Sequence, residues 1–130
     1  MTTLTHAGVA AAIRSVLGAH TQAQDAGDVN ALVELYAPDA VLVVPGQPDI
    51  SGIDAIREAF VGWAPTAPQK HLVANTVITV DTTIQAVSDV VFFQRTDAGW
   101  APLVVGRYVD TFTESDGAWR ISRRETTYQS

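Results

Sequence analysis

The stretch QKHLVANTVITV, residues 69–80, decides how the chain is read. It is rich in β-branched residues, contains neither Pro nor Gly, and lies between the breakers APTAP and DTT, so it reads as one long strand. Two residues interrupt its apolar character, His71 and Asn75. A strand has a side-chain period of two, which predicts that His71, Val73, Asn75, Val77 and Thr79 share one face. Buried polar groups need partners. An imidazole and an amide on such a face therefore point to a cavity rather than a dry core.

Working outward, three further strands are predicted at about 84–95, 100–113 and 118–128, separated by DTT, TDAG and ESDG. Such short Asp/Gly turns join antiparallel neighbours into a meander. Upstream the period changes. Val9, Ile13, Val16, Leu17, His20 and Gln24 recur at helical offsets and predict a helix over 5–26 that ends at Gly27. Asp28 is a suitable N-cap for a second helix, VNALVELY, buried through Leu32, Leu35 and Tyr36 and closed by Pro38. A short strand AVLVVP follows. Ser51 to Asp54 then has capping-box spacing ahead of a third helix carrying Ile53, Ile56, Phe60 and Trp63 on one stripe. The order predicts one α+β domain spanning 1–130, with three N-terminal helices packed on a curved, mostly antiparallel sheet that encloses a cone-shaped pocket.

Composition narrows the function. The chain has 130 residues, 47% apolar and 17% charged, which suits a folded core. A formal charge of -6, with no basic cluster beyond Arg120, Arg123 and Arg124, argues against nucleic acid and anionic membranes as partners. The absence of Cys removes thiolate chemistry, and the N-terminus has neither a basic n-region nor an unbroken apolar run, so a cytoplasmic protein is expected. The three His residues show no metal-ligand spacing, and no GxGxxG, P-loop or GxSxG occurs, so neither metal nor organic cofactor is expected.

The element order, together with AQDAGDVNALVELYAPDAVLVVPG, SGIDAIREAF, KHLVANTVITV and GRYVDTFTESDGAWRISRRE, resembles the nuclear transport factor 2-like superfamily, and most closely its SnoaL-like branch. The resemblance covers nearly the whole chain and implies a cystatin-like, cone-shaped α+β barrel. It also implies roles. The catalytic Asp and one catalytic His of scytalone dehydratases fall on Asp25 and His71, but the second His has no counterpart, and their tyrosines are replaced by Gln24 and Val44. The oxyanion-hole Asp of ketosteroid isomerases falls on Asp110 and their oxyanion tyrosine near His20, while their base carboxylate falls on Val44. SnoaL-type polyketide cyclases use a carboxylate near the Asp110 region. None of these mechanisms can be copied whole.

The residues themselves suggest a proton-transfer site. An imidazole, with an ordinary pKa of about 6.5, suits general acid–base work at neutral pH, and a neighbouring carboxylate fixes its tautomer. His71 is the candidate, with Asp25 as partner; the alternatives are a structural His71 satisfied by backbone at the strand start, an Asp25 that organises the turn at the helix end, and a His20 hydrogen-bonded within the core. Asp110, on the face shared by Tyr108 and Phe112, has two readings: an acid donating to a substrate carbonyl, or an ion pair with Arg107, Arg123 or Arg124 across the sheet. Tyr36, Tyr108, Asn75 and His20 are candidate polar contacts, and Val44, Phe60 and Trp63 candidate apolar ones. The expected function is a lyase or isomerase of dehydratase or cyclase type, acting without cofactor on a small apolar, cyclic or polyketide-like molecule. A noncatalytic small-molecule-binding or protein-binding dimer of the same fold is the alternative. In both cases Leu103, Val105 and Val109, on the outer face of the meander, are expected to pack against a second subunit in a homodimer.

Overall fold

The computed structural model describes residues 5–129. Three helices, α1 (His6–Ala26), α2 (Val29–Val33) and α3 (Ile53–Gly62), accompany six strands: β1 (Tyr36–Val43), β2 (Ile50–Ser51), β3 (Gln69–Val80), β4 (Ile84–Thr96), β5 (Gly99–Ser115) and β6 (Ala118–Gln129). The strands form one sheet in the order β2-β1-β6-β5-β4-β3. Every neighbouring pair is antiparallel except β1 and β6. The architecture is α+β, and the sheet stays open, with β2 and β3 as its edges. Among the described residues no helix is long and apolar enough to cross a membrane.

Local chemistry sets the element ends. Thr5 caps α1 by accepting from the Gly8 N–H, and Gly27 closes it in the left-handed region with φ 70°. Asp28 caps α2 through the Ala31 N–H. The second helix is shorter than its sequence suggests, because Tyr36 opens β1 instead of ending α2. Pro38 therefore lies inside a strand, where the β1–β6 register shifts between Tyr36 and Val41 and a missing N–H is tolerated. Nor does Ser51 cap α3: the N-cap is Gly52, at φ 87°, without a side-chain bond. Asp116 and Gly117, with φ of 53° and 77°, make the two-residue turn from β5 to β6. Positive φ at both positions matches the right-handed twist of a hairpin.

The core lies between helices and sheet, where Ile13, Leu32, Ile56 and Ile121 are almost wholly buried. Each contributes roughly 1.5–3 kcal/mol of transfer free energy.

Two bulges set which side chains face this core. In β3 the register with β4 shifts between Ala74 and Val77, and Asn75 takes φ 54°. One extra residue reverses the alternation. Gln69, His71 and Val73 face inward before it, and Thr76, Ile78 and Val80 after it. The single-face expectation for His71 through Thr79 is thereby corrected: Asn75, Val77 and Thr79 point outward, and Val77 is 66% exposed. In β6 the register with β5 skips Ser122, whose hydroxyl donates to the Thr111 carbonyl. Ile121 faces the core before the bulge, and Arg124 faces it afterwards.

Candidate functional site

A cavity of about 260 Å³ opens between α1, α3 and the inner face of the sheet. Its walls are mostly apolar, with Phe60 from α3 and Trp63 at its C-cap, Val90 and Phe92 from β4, and Leu42 and Val44 at the end of β1. Gln24, Gln69, His71, Tyr108 and Arg124 bring polar atoms to the same space. Phe60 and Trp63 pack edge to face with ring centroids 5.4 Å apart.

His71 is held at three points. Its Nδ1 lies 2.7 Å from Asp25 Oδ1, its backbone N–H donates to Asp25 Oδ2 at 2.7 Å, and its ring stacks on Phe92 with centroids 4.7 Å apart. Gln69 Nε2 also donates to Asp25 Oδ1, at 3.1 Å. The carboxylate thus accepts at every one of these contacts. The imidazole proton is accordingly on Nδ1, which leaves the Nε2 lone pair without a protein partner among the described residues. Asp25 can take this position because it lies in the last turn of α1, which Gly27 closes, so a helix-end carboxylate meets a strand-opening backbone N–H.

A second polar group lies deeper. Asp110, wholly buried, receives Arg124 Nε at 2.7 Å on one oxygen and Arg124 Nη2 at 3.0 Å on the other. The Arg124 guanidinium carbon sits 3.8 Å above the Tyr108 ring. His20 Nε2 shares a 2.6 Å hydrogen bond with the Tyr36 hydroxyl. Burial, and then the charge of Arg124, hold the His20 pKa well below its ordinary value, so this imidazole stays neutral. Burial pushes the Tyr36 and Tyr108 hydroxyls above the usual phenol range, Arg124 opposing, so both remain proton donors. For Arg124 burial acts downward, but the Asp110 carboxylate and the two tyrosines outweigh it and its pKa rises.

A family model described as the SnoaL-like domain matches residues 7–125. The chain belongs to the SnoaL-like family. Among solved structures, a nuclear transport factor 2-like protein with a cystatin-like fold from Novosphingobium aromaticivorans is 23% identical, with a TM-score of 0.83 over 99% of this chain and 93% of its own. A Mycobacterium tuberculosis protein of unknown function is 24% identical, with a TM-score of 0.86 over 93% of this chain and 72% of its own. A provisionally named scytalone dehydratase from Novosphingobium aromaticivorans is 21% identical, with a TM-score of 0.81 over 94% and 85%. At these identities the likeness is one of fold. No curated protein matches the chain.

Of the residues singled out from sequence in this SnoaL-like chain, His71, His20, Val44, Phe60, Trp63 and Tyr108 line the cavity. Asp25 stands behind His71, and Tyr36 behind His20. Asn75 does not belong with them: the β3 bulge turns it outward, where its amide donates to Asp89 at 2.9 Å. There the Asn75 amide first, and then Arg107, hold the Asp89 pKa below its usual value. The proton-donating reading of Asp110 is likewise corrected, because both its oxygens accept from Arg124 and it does not line the cavity.

Sequence reasoning missed Arg124, Phe92 and Gln24 as cavity residues. Phe92 was recoverable as the cross-strand partner of His71. Gln24 lay on the predicted α1 stripe, and its buried Oε1 has no hydrogen-bond partner among the described residues. Among the described residues no three His, Asp or Glu side chains cluster as metal ligands would.

Proposed function

We propose that the protein is a cofactor-independent acid–base enzyme of dehydratase type, with His71 as the proton-transfer group and Asp25 as the residue that positions it. The carrying observation is the 2.7 Å contact of His71 Nδ1 with Asp25, made on the wall of an open, mainly apolar cavity. A fixed Nδ1–H tautomer directs the basic Nε2 toward whatever occupies that space. Tyr108 supplies a phenol donor, and the aromatic walls suit a small cyclic molecule with few charges.

Elimination of water β to a carbonyl needs only these parts. Nε2 takes the proton next to the carbonyl, and the same group returns it to the departing hydroxyl. A well-placed group of this kind accelerates proton transfer by about 10²–10⁴-fold. Incubating the protein with cyclic β-hydroxy ketones and following enone absorbance tests the assignment. His71→Ala is expected to lose activity by that factor while keeping its fold, and equal turnover by parent and variant would remove His71 from the mechanism.

A second reading, binding without turnover, is favoured by one observation: two of the three hydrogen bonds to Asp25 come from a backbone N–H and from Gln69, which is also how a purely structural clamp would look. A parent that binds cyclic ketones and leaves them unchanged selects it. We further propose a homodimer formed through the sheet, which the exposure of Leu72, Val77, Leu103 and Val105 supports. A monomer mass by light scattering at micromolar concentration would count against it.

A further inference from the structure

We propose that Arg124 is an oxyanion-binding residue of this cavity, placed to hold a substrate oxygen that carries negative charge as an enolate or phenolate. The inference rests on the dehydratase reading for the moment at which that charge appears, and on the geometry of one side chain for the site itself.

Arg124 is 2% exposed and reaches the cavity wall. A guanidinium offers five N–H donors in a plane. Asp110 engages two nitrogens, Nε and Nη2. The third, Nη1, lies 3.4 Å from both ring nitrogens of His20. A point equally far from both at that distance cannot lie in the imidazole plane, because the carbon between the nitrogens would block it. Nη1 therefore sits over the ring face, and neither in-plane lone pair receives a straight hydrogen bond. The guanidinium is stacked on the Tyr108 ring as well. Its Nη1 hydrogens consequently make only these two long contacts to His20 among the described residues, although the group is buried and charged. Such donors are strong ligands for an anionic oxygen.

The neighbours suit this role. His20 is neutral and spends Nε2 on Tyr36, so it does not compete as a second cation. Asp110 fixes the guanidinium plane from the side away from the cavity. An apolar cavity of roughly 150 Å³ holds a benzene ring, so this one, at about 260 Å³, accommodates a substituted ring between Phe60, Phe92 and Arg124.

In the elimination, His71 Nε2 takes the α-proton, the C–H electron pair forms the carbon–carbon double bond, and the carbonyl electrons move onto oxygen beside Arg124. When they return, the β-hydroxyl leaves with the proton from Nε2, giving enone and water. No other reactant is needed.

The test uses 4-nitrophenol as a probe, whose phenolate absorbs in the visible. Titrated in the presence of excess protein, its midpoint is expected to fall by about one unit, that is, the phenolate bound about tenfold tighter than the phenol. Replacing both partners, Arg124→Met with Asp110→Leu, avoids stranding a buried carboxylate and should abolish the shift in a protein whose circular dichroism is unchanged. Arg124→Lys, which keeps the charge but not the fork, should retain part of it. An unmoved or raised midpoint in the parent, failure of the probe to bind, or a full shift in the paired variant overturns the assignment. His71→Ala should lose turnover yet still lower the probe's midpoint, so failure of the catalytic reading and failure of this one give different results.

Discussion

Replacing Asp25 by Asn probes the site most directly, because it keeps the shape and changes only which atoms donate. In the parent three donors meet the carboxylate: the His71 backbone N–H at 2.7 Å, His71 Nδ1 at 2.7 Å and Gln69 Nε2 at 3.1 Å. An amide has one oxygen to offer them. The backbone N–H cannot reverse its polarity, whereas an imidazole can change tautomer and a glutamine amide can turn over. The lowest-cost arrangement therefore points the new oxygen at the His71 N–H and the new NH₂ at Nδ1. The imidazole proton moves to Nε2, and the cavity loses its base.

Exchanging charge-assisted for neutral hydrogen bonds costs about 1 kcal/mol each, so the three together come to about 2–4 kcal/mol. For a domain of this size the unfolding midpoint falls on the order of 10 °C. Imidazole ¹⁵N shifts report the tautomer directly, and thermal unfolding followed by circular dichroism reports the stability. Turnover, where a substrate is in hand, should fall by about 10²–10⁴-fold, more than a loss of stability alone would cause in protein that is still folded. A His71 that keeps its proton on Nδ1 in Asp25→Asn, with an unmoved midpoint, would refute the clamp and the base together.

Three other perturbations have definite signs. His20 has a depressed pKa in the folded protein, so below about pH 6.5 the unfolded chain binds a proton that the folded one refuses. Stability is undiminished above that pH and falls as acid is added; His20→Gln should flatten this slope in urea titrations between about pH 7 and 5, and parallel curves would show that His20 does not carry it. Arg124→Met alone strands a buried carboxylate and should cost about 3–5 kcal/mol, while Arg124→Met with Asp110→Leu should recover most of that; equal losses in denaturant melts would mean that the two residues do not act as a pair. At Gly106 an added Cβ would stand 2.6 Å from the Thr127 carbonyl oxygen, and backbone cannot swing aside. Gly106→Ala should therefore part β5 from β6 beside the cavity, lowering stability by about 1–3 kcal/mol, and an unchanged melt would show that the strands yield there without cost.

The sequence carried the element order because its periods are clean. A 3.6-residue stripe runs from Val9 to Gln24, and Asp/Gly pairs mark the hairpins of the meander. It failed where a local device changed the period. Leu32, Leu35 and Tyr36 fit helical spacing and group Tyr36 with the helix before it, yet the chain turns after Val33 and gives Tyr36 to β1. A two-residue period counted from His71 sends Asn75 into the cavity, because such a period extends indefinitely unless something breaks it. What breaks it is Asn75 itself, one of the few residue types that adopt positive φ readily. An Asn within an otherwise β-branched run is thus as much a signal for a bulge as for a ligand contact.

The same physics explains why the sequence marks Asp110 as a cavity residue and Arg124 only as one of three candidate partners for it, the one the structure pairs with it. Alternation counted from Ile121 sends Arg123 and Glu125 inward and Arg124 to solvent. The Ser122 bulge inverts this, so Arg123 and Glu125 pair on the surface while Arg124 enters the core. Once there it needs a counter-charge, and Asp110, opposite it in the β5–β6 register, supplies one. The carboxylate that looked like a site residue is therefore a consequence of the bulge, as is the cation that reaches the cavity. A buried ion pair contributes little net stability, and apolar residues of similar volume often replace it at no loss. The functional weight of the pair therefore lies less in what it does for the fold than in the Nη1 edge of the guanidinium, held by only long contacts to His20 on the wall of a cavity.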